Sequence, residues 1–288
     1  MSDDIHPAQR GTTVSKPPPL FLFPGMGGYD PQLVEVGFAC GDAVTTVQIA
    51  YPAWRVLHGM RDFDFETLVN DVVGQITKHC PPCKILLAGY SFGSIVAFAA
   101  AARLRDIGYS VRFLGLLDSE AHPGLDTAPG ALRAPKTRWQ QLAGFTASMP
   151  RGDAQSKLAY VTARHLKSPR WRPLLRLYAR IPRRWLKGTF RIYLERDLLS
   201  EHMEPLLLQW VARRGAVRPL PVPAYLFRTD QHSGNAPHHL GWDDYCPDLT
   251  VVSIPGSHLG MLGRSNLPIL CAAFRNAVLQ ALGQTVSQ

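Results

Sequence analysis

Apolar residues in this chain gather in short, nearly unbroken runs, and stretches of helical periodicity fill the spaces between them. Leu20-Phe21-Leu22-Phe23 is the first run, closed by the glycine-rich turn Pro24-Gly25-Met26-Gly27-Gly28. Asp42 to Ile49 is β-branched and ends at Tyr51-Pro52. Ile85 to Ala88, Val111 to Leu117, Val222 to Phe227 and Leu249 to Ile254 complete the strand candidates. Leu68, Val69, Val72, Val73 and Ile76 recur at helical spacing between Phe65 and His79. A helix of small residues follows from Ser94 to Leu104, and a last helix runs from about Pro268 to Leu282 with its proline near the first turn. Strongly apolar strands that alternate with helices predict an α/β fold, a mostly parallel central sheet covered by helices on both faces. The stretch between Asp118 and Val222 carries too few strand signals to join that sheet. It reads as a helical lid insertion, about residues 125–218, over the carboxyl ends of the strands, where open α/β sheets bind ligands. Residues 1–18, ending in Lys16-Pro17-Pro18, read as a flexible arm, and residues 19–288 as the folded domain.

Composition narrows the class. Of the 288 residues, 46% are hydrophobic, enough for a full core, yet no run of about 18 apolar residues exists to span a membrane. The start lacks the basic-then-apolar order of a secretory signal. Five cysteines (Cys40, Cys80, Cys83, Cys246 and Cys271) are an odd number spread over a long chain, which argues against a disulfide framework. Cys80-Pro81-Pro82-Cys83 has no second pair to complete a zinc site and reads as a turn into the following strand. A reducing, cytoplasmic setting is expected. The net charge of +9 is unevenly placed: residues 131–218 hold 19 Lys+Arg against 5 Asp+Glu, while the remainder carries a net −5. A block of one sign draws an anionic partner and speeds encounter with it.

The chemistry is concentrated around Gly89-Tyr90-Ser91-Phe92-Gly93. An apolar strand precedes this Gly-x-Ser-x-Gly string and a helix follows at once, the setting of a nucleophile elbow. A serine hydroxyl is a poor nucleophile at neutral pH and needs an adjacent base, itself oriented by an acid. His258, in the turn directly after the final strand, is the base that this order predicts. His232, His238 and His239 read instead as a solvated polar loop. Two carboxylates compete for the acid: Asp118 ends the strand after the nucleophile helix, and Asp230 ends the next one. The oxyanion hole needs two backbone N–H groups, one from Phe92 and the other from the loop after the first strand, with Met26 as the donor. No Gly-x-x-x-x-Gly-Lys or Gly-x-Gly-x-x-Gly pattern supports a phosphate-binding reading of that loop.

Taken together, Phe21-Leu22-Phe23-Pro24-Gly25-Met26-Gly27-Gly28, Gly89 to Phe98, Leu116-Leu117-Asp118-Ser119, His239-Leu240-Gly241-Trp242 and Val252 to His258 resemble the thioesterase domains of polyketide synthases and nonribosomal peptide synthetases, from about residue 18 to 282. That resemblance implies an α/β-hydrolase fold and favours Asp118 over Asp230. It implies that Ser91, Asp118 and His258 release an acyl, polyketide or peptidyl chain from a carrier-protein phosphopantetheine thioester, by hydrolysis or macrocyclisation. No metal or redox cofactor is required. The partner would be an acidic carrier protein docking near the basic lid, where Arg164, Lys167, Arg170, Arg172, Arg176, Arg180, Arg183 and Arg184 are candidates. Trp139, Trp171, Trp185 and Trp210 in the same stretch either pack the lid or line an acyl tunnel. The chain departs from the family in its Arg-rich lid and its Gly-Met-Gly-Gly loop. Two other readings differ in class. One is an esterase, lipase or acyltransferase, in the lipase case with the basic segment lying on an anionic membrane; Pro173 and Pro182 interrupt any long amphipathic helix there. The other is a non-catalytic basic module, and no recognised nucleic-acid motif accompanies the patch.

Overall fold

The computed structural model describes residues 16–60, 62–121, 158–159, 161–163, 172–182, 188–213, 216–232 and 237–284. Six strands form one sheet: β1 (Pro19–Phe23), β2 (Thr45–Gln48), β3 (Lys84–Tyr90), β4 (Ser110–Leu117), β5 (Ala224–Thr229) and β6 (Leu249–Ile254). Their spatial order is β2-β1-β3-β4-β5-β6, and every neighbouring pair is parallel. The described sheet is thus parallel throughout, as the continuous apolar runs require when both faces are covered.

Alternation along β1 assigns the faces. Phe21 and Phe23 point to a core shared with α3 (Phe65–His79) and α4 (Phe92–Asp106). Leu20 and Leu22 point to the opposite core, which contains residues of α1 (Pro31–Phe38) and α7 (Leu267–Ala281). The predicted helix over Phe65–His79 forms with those bounds. Asp64 caps it by accepting from the Thr67 amide at 2.7 Å. The strand expected over Asp42–Ile49 is shorter, because Gly41–Ala43 turns as a 3-10 segment before β2. Two helices escaped the sequence reading, α1 and the single turn α2 (Trp54–Leu57). Pro31 occupies the first turn of α1, where its missing N–H costs nothing. The Cys80–Cys83 turn forms as expected, with both thiols free and their sulfurs 3.6 Å apart.

Of the predicted arm, residues 1–15 lie outside the described residues. Pro18 already joins the ladder between β1 and β2, its carbonyl accepting from Thr45 at 3.0 Å. Two lid helices are described, α5 (Arg172–Arg180) and the 25-residue α6 (Gly188–Ala212). Helix α6 buries Leu194, Leu198, Leu199, Met203, Leu206 and Trp210 against the rest of the molecule. Arg55 of α2 fastens the two lid helices together. Its guanidinium donates to the Ala179 and Ile181 carbonyls at 2.8 and 2.9 Å and pairs with Glu195 at 2.8 Å. No helix among the described residues is long and apolar enough to cross a membrane.

The strand order contains a reversal that locates the site. From β1 the chain moves outward to β2, then returns to the other side of β1 as β3. Connections at such a point leave the two carboxyl ends in opposite directions and open a crevice between them. The Pro24–Gly28 loop and the Ser91 turn face each other across that crevice.

Candidate active site

Close backbone approach builds the Ser91 turn. A Cβ on Gly89 would lie 2.1 Å from the Gly93 carbonyl oxygen, and one on Gly93 would lie 2.3 Å from the Phe23 carbonyl oxygen. Only glycine at both places lets α4 start against β3 and the end of β1. Ser91 itself has φ 54° and ψ −123°, a conformation that a residue bearing a Cβ rarely adopts. The strain is held by hydrogen bonds on each side. Ser91 N–H donates to the Leu117 carbonyl at 2.9 Å, and the buried Ser94 hydroxyl donates to the Gly89 carbonyl at 2.6 Å.

Asp118 leaves the end of β4 with φ 49°, a left-handed conformation that aspartate tolerates. Its N–H donates to the Phe227 carbonyl at 2.8 Å, and its carboxylate Oδ1 accepts the Thr229 N–H at 2.7 Å. The side chain is fully buried, and Oδ2 lies 2.9 Å from His258 Nδ1. Burial works against its charge, but the hydrogen bonds from His258 and Thr229 outweigh burial and hold the carboxyl below its usual range. An ionised carboxylate only accepts, so His258 Nδ1 carries a proton. In the neutral imidazole Nε2 is then a bare acceptor. That nitrogen lies 3.0 Å from Ser91 Oγ. The arrangement can therefore draw the hydroxyl proton onto Nε2 while Asp118 supports the imidazolium that forms.

His258 is clamped by groups that the sequence reading did not single out. Its N–H donates to Gln231 Oε1 at 2.9 Å, and its carbonyl accepts from the Tyr90 hydroxyl at 2.8 Å. The Tyr90 ring stacks on the imidazole at 5.1 Å and 16°. A tyrosine beside Ser91, at the end of the apolar run Ile85–Gly89, had to find a partner for its buried hydroxyl, and that demand was the available signal. Asp230 takes a different role. Its Oδ2 accepts the Gly256 N–H at 3.3 Å, and among the described residues it makes no hydrogen bond or ion pair with His258. One histidine departs from expectation. His232 is no part of a solvated loop: its side chain is only 11% exposed, with Nε2 3.4 Å from Asp118 Oδ1 and Nδ1 3.5 Å from Glu120. The short 3-10 turn Asp230–His232 brings it against Asp118 and Glu120. His238 is exposed, as expected.

Met26 and Phe92 line the same cavity of about 220 Å³ as Ser91 and His258, together with Ile95, Leu207, Glu120 and His232. Among the described residues, neither the Met26 nor the Phe92 amide has an acceptor, so both are free to bind a developing oxyanion. Phe92 opens α4, which adds the positive end of the helix dipole. Of the lid tryptophans, Trp139, Trp171 and Trp185 lie outside the described residues. Trp210 is buried, donates to the Ala121 carbonyl at 2.8 Å and packs on Phe65 and Phe98. It is a packing residue. Arg176 and Arg180 are exposed on α5, and Arg172 begins that helix; Arg164, Lys167, Arg170, Arg183 and Arg184 lie outside the described residues.

A family model described as Thioesterase domain matches residues 18–173, just over half of the chain. A curated relative, the chondramide synthase cmdD of Chondromyces crocatus, is 24% identical over 279 residues, which cover 94% of this chain. The match spans only 7% of that synthase's length. Among solved structures, the NocB thioesterase domain from the nocardicin cluster superposes with a TM-score of 0.58 at 18% identity, over 92% of this chain and 94% of its own. The RedJ thioesterase from the prodiginine biosynthetic pathway of Streptomyces coelicolor gives 0.54 at 19% identity, over 91% of each chain. At these identities the structural likeness is one of fold.

Proposed function

The chain belongs to the thioesterase domain family, and we propose that it releases an acyl, polyketide or peptidyl chain from the phosphopantetheine thioester of a carrier protein through an acyl-serine intermediate. In this reading Ser91 is the nucleophile, His258 the general base and then acid, and Asp118 the group that orients and stabilises the imidazolium. Ser91 Oγ attacks the thioester carbonyl as its proton passes to His258 Nε2. The Met26 and Phe92 amides hold the oxyanion, and the collapsing intermediate expels the pantetheine sulfur, which takes the proton from His258. Water, or a hydroxyl or amine of the acyl chain, then repeats the sequence on the acyl-serine. The observation that carries the reading is the unbroken relay from Ser91 Oγ to His258 at 3.0 Å and from His258 to Asp118 at 2.9 Å.

The carrier is proposed to be acidic and to dock beside the lid, where α5 presents Arg176 and Arg180 to solvent beside exposed Leu174 and Leu177. Intact-mass measurement on the protein mixed with a panel of acyl-carrier proteins tests the whole scheme. A mass increase equal to the acyl group, absent in Ser91→Ala, is expected. Undiminished turnover by Ser91→Ala would reject it.

A further inference from the structure

The loop that presents the Met26 amide is held by a side chain outside the proposed catalytic set. Asp30 precedes α1 at the position where an aspartate ordinarily caps its own helix, yet it makes no capping bond. Its carboxylate turns back instead, and Oδ2 accepts the Gly25 N–H at 2.7 Å. Asp30 is 5% exposed, so a charge has been taken out of water to make this contact. The Gly25 carbonyl in turn accepts from Gly28 N–H at 2.9 Å, and the Pro24 carbonyl accepts from the Tyr51 hydroxyl at 2.9 Å. Gly25 is therefore pinned at both of its polar groups. Because the peptide unit is planar and trans, fixing the Gly25 carbonyl also fixes the Met26 N–H, which points the opposite way.

The second oxygen of Asp30 faces the lid. Arg196 of α6 reaches Oδ1 at 3.4 Å and lies across the loop, where a Cβ on Gly27 would meet its side chain at 2.6 Å. Leu199, one turn further along α6, covers Gly28 in the same manner. One carboxylate thus joins the loop amide to the lid helix. We propose that Asp30 is a positioning residue for the oxyanion hole, and that Arg196 makes the alignment of the Met26 amide depend on where the lid helix sits. The inference rests on the thioesterase reading above. It extends that reading by making catalytic competence follow lid placement.

The test uses the full chain and a soluble acyl-N-acetylcysteamine thioester, with kcat and KM measured separately, plus the rate of Ser91 phosphonylation by a fluorophosphonate. Asp30→Ala should lower kcat by about ten- to hundredfold and slow phosphonylation in parallel, with KM within about twofold, because a misaimed donor fails mainly in the transition state. Asp30→Asn keeps an acceptor for the Gly25 N–H and should fall between Asp30→Ala and wild type. Arg196→Gln should cost about two- to fivefold, as a partly exposed ion pair allows, and nothing further once residue 30 is Ala. Asp30→Ala with kcat within twofold of wild type, or with only KM raised, would overturn the proposal. So would an Arg196→Gln cost that is undiminished in the Asp30→Ala background. If Asp30→Ala does not fold, the same comparison is made in Asp30→Asn, where a smaller Arg196→Gln effect is expected and a full-sized one overturns the link. A wild-type protein that neither cleaves thioesters nor labels at Ser91 marks failure of the underlying reading. An active wild type with indifferent Asp30 variants marks failure of this inference alone.

Discussion

Asp118→Asn separates the acid role proposed for Asp118 from the structural roles at its position. Asparagine has the same shape and tolerates the left-handed backbone that Asp118 adopts at φ 49°, so the substitution adds no backbone strain. The Thr229 N–H, 2.7 Å from Oδ1, then decides how the new amide lies. Its NH2 cannot face another donor, so the carbonyl oxygen stays on Thr229 and the NH2 is turned toward His258 Nδ1. Nδ1 must now accept, which moves the ring proton to Nε2, the atom that has to receive the Ser91 proton. The imidazole is held in place and in the wrong tautomer. In serine proteases the equivalent change costs about 10⁴ in turnover, or about 5.5 kcal/mol at about 1.4 kcal/mol per tenfold. The same order of loss is expected here in kcat/KM for thiol release from a soluble thioester, with the fold retained. Asp230→Asn, which replaces a carboxylate that accepts the Gly256 N–H at 3.3 Å, should stay within a few-fold of wild type. An Asp118→Asn enzyme that keeps more than a tenth of wild-type kcat/KM would refute the tautomer reasoning. A larger loss from Asp230→Asn would assign the acid to the other strand.

Arg55→Met should loosen the lid without touching the site: it removes the donors to Ala179 and Ile181 and leaves Glu195 unpaired, at a cost of about 2 kcal/mol. Faster hydrogen exchange in α5, with exchange in β3 and β4 unchanged, is the expected result. Asp118 also sets a pH dependence. Its folded carboxyl titrates below the unfolded value of about 3.9, so its contribution to stability is complete above that pH and is lost as pH falls through the lower folded value. Urea midpoints of wild type and Asp118→Asn should therefore converge below about pH 4, and a gap that stays constant would contradict this. Burial pushes the Cys40 and Cys246 thiols up to about 12, so iodoacetamide at pH 8 should modify neither until the protein is unfolded. Arg176→Glu with Arg180→Glu should slow release from carrier-bound substrates more than from soluble thioesters, and equal slowing would remove the docking role.

The sheet and the placement of the proposed reacting groups were legible in the sequence because each rests on a local rule. Strands buried on both faces write themselves as apolar runs, and Gly89 and Gly93 announce a turn that admits no side chain. His258 follows a strand end directly, so its height above the sheet came from chain order alone. The choice between Asp118 and Asp230 was not local. Both end strands, and only the partner of β5, the register Leu117↔Phe227 and the Thr229 amide decide which carboxylate is turned inward. His232 failed for the same reason in reverse. Its loop looks polar, but the 3-10 turn that carries it folds the ring against Asp118. Short helices such as α2 leave too few residues for periodicity to register.

These misses share a physical cause that bears on how the site works. Ser91 and Asp118 directly follow strand ends, where hydrogen bonds to neighbouring strands fix the backbone, and His258 opens the short 3-10 turn after β6. Groups that aim or cover the proposed chemistry come from the end of β3 (Tyr90), from connecting segments (Asp30, Gln231) and from the lid (Arg196), and the contacts Tyr90–His258, Gln231–His258 and Arg196–Asp30 each join residues far apart in sequence. A purely rigid site would need no contact between lid and oxyanion loop, because β1 and α4 already hold Phe23 and Phe92 in place. The Met26 amide is the exception, being the one proposed oxyanion donor carried by an irregular loop rather than a helix or strand end. Its alignment has to come from tertiary contacts, and a buried carboxylate shared with the lid helix supplies one that can change when the lid does.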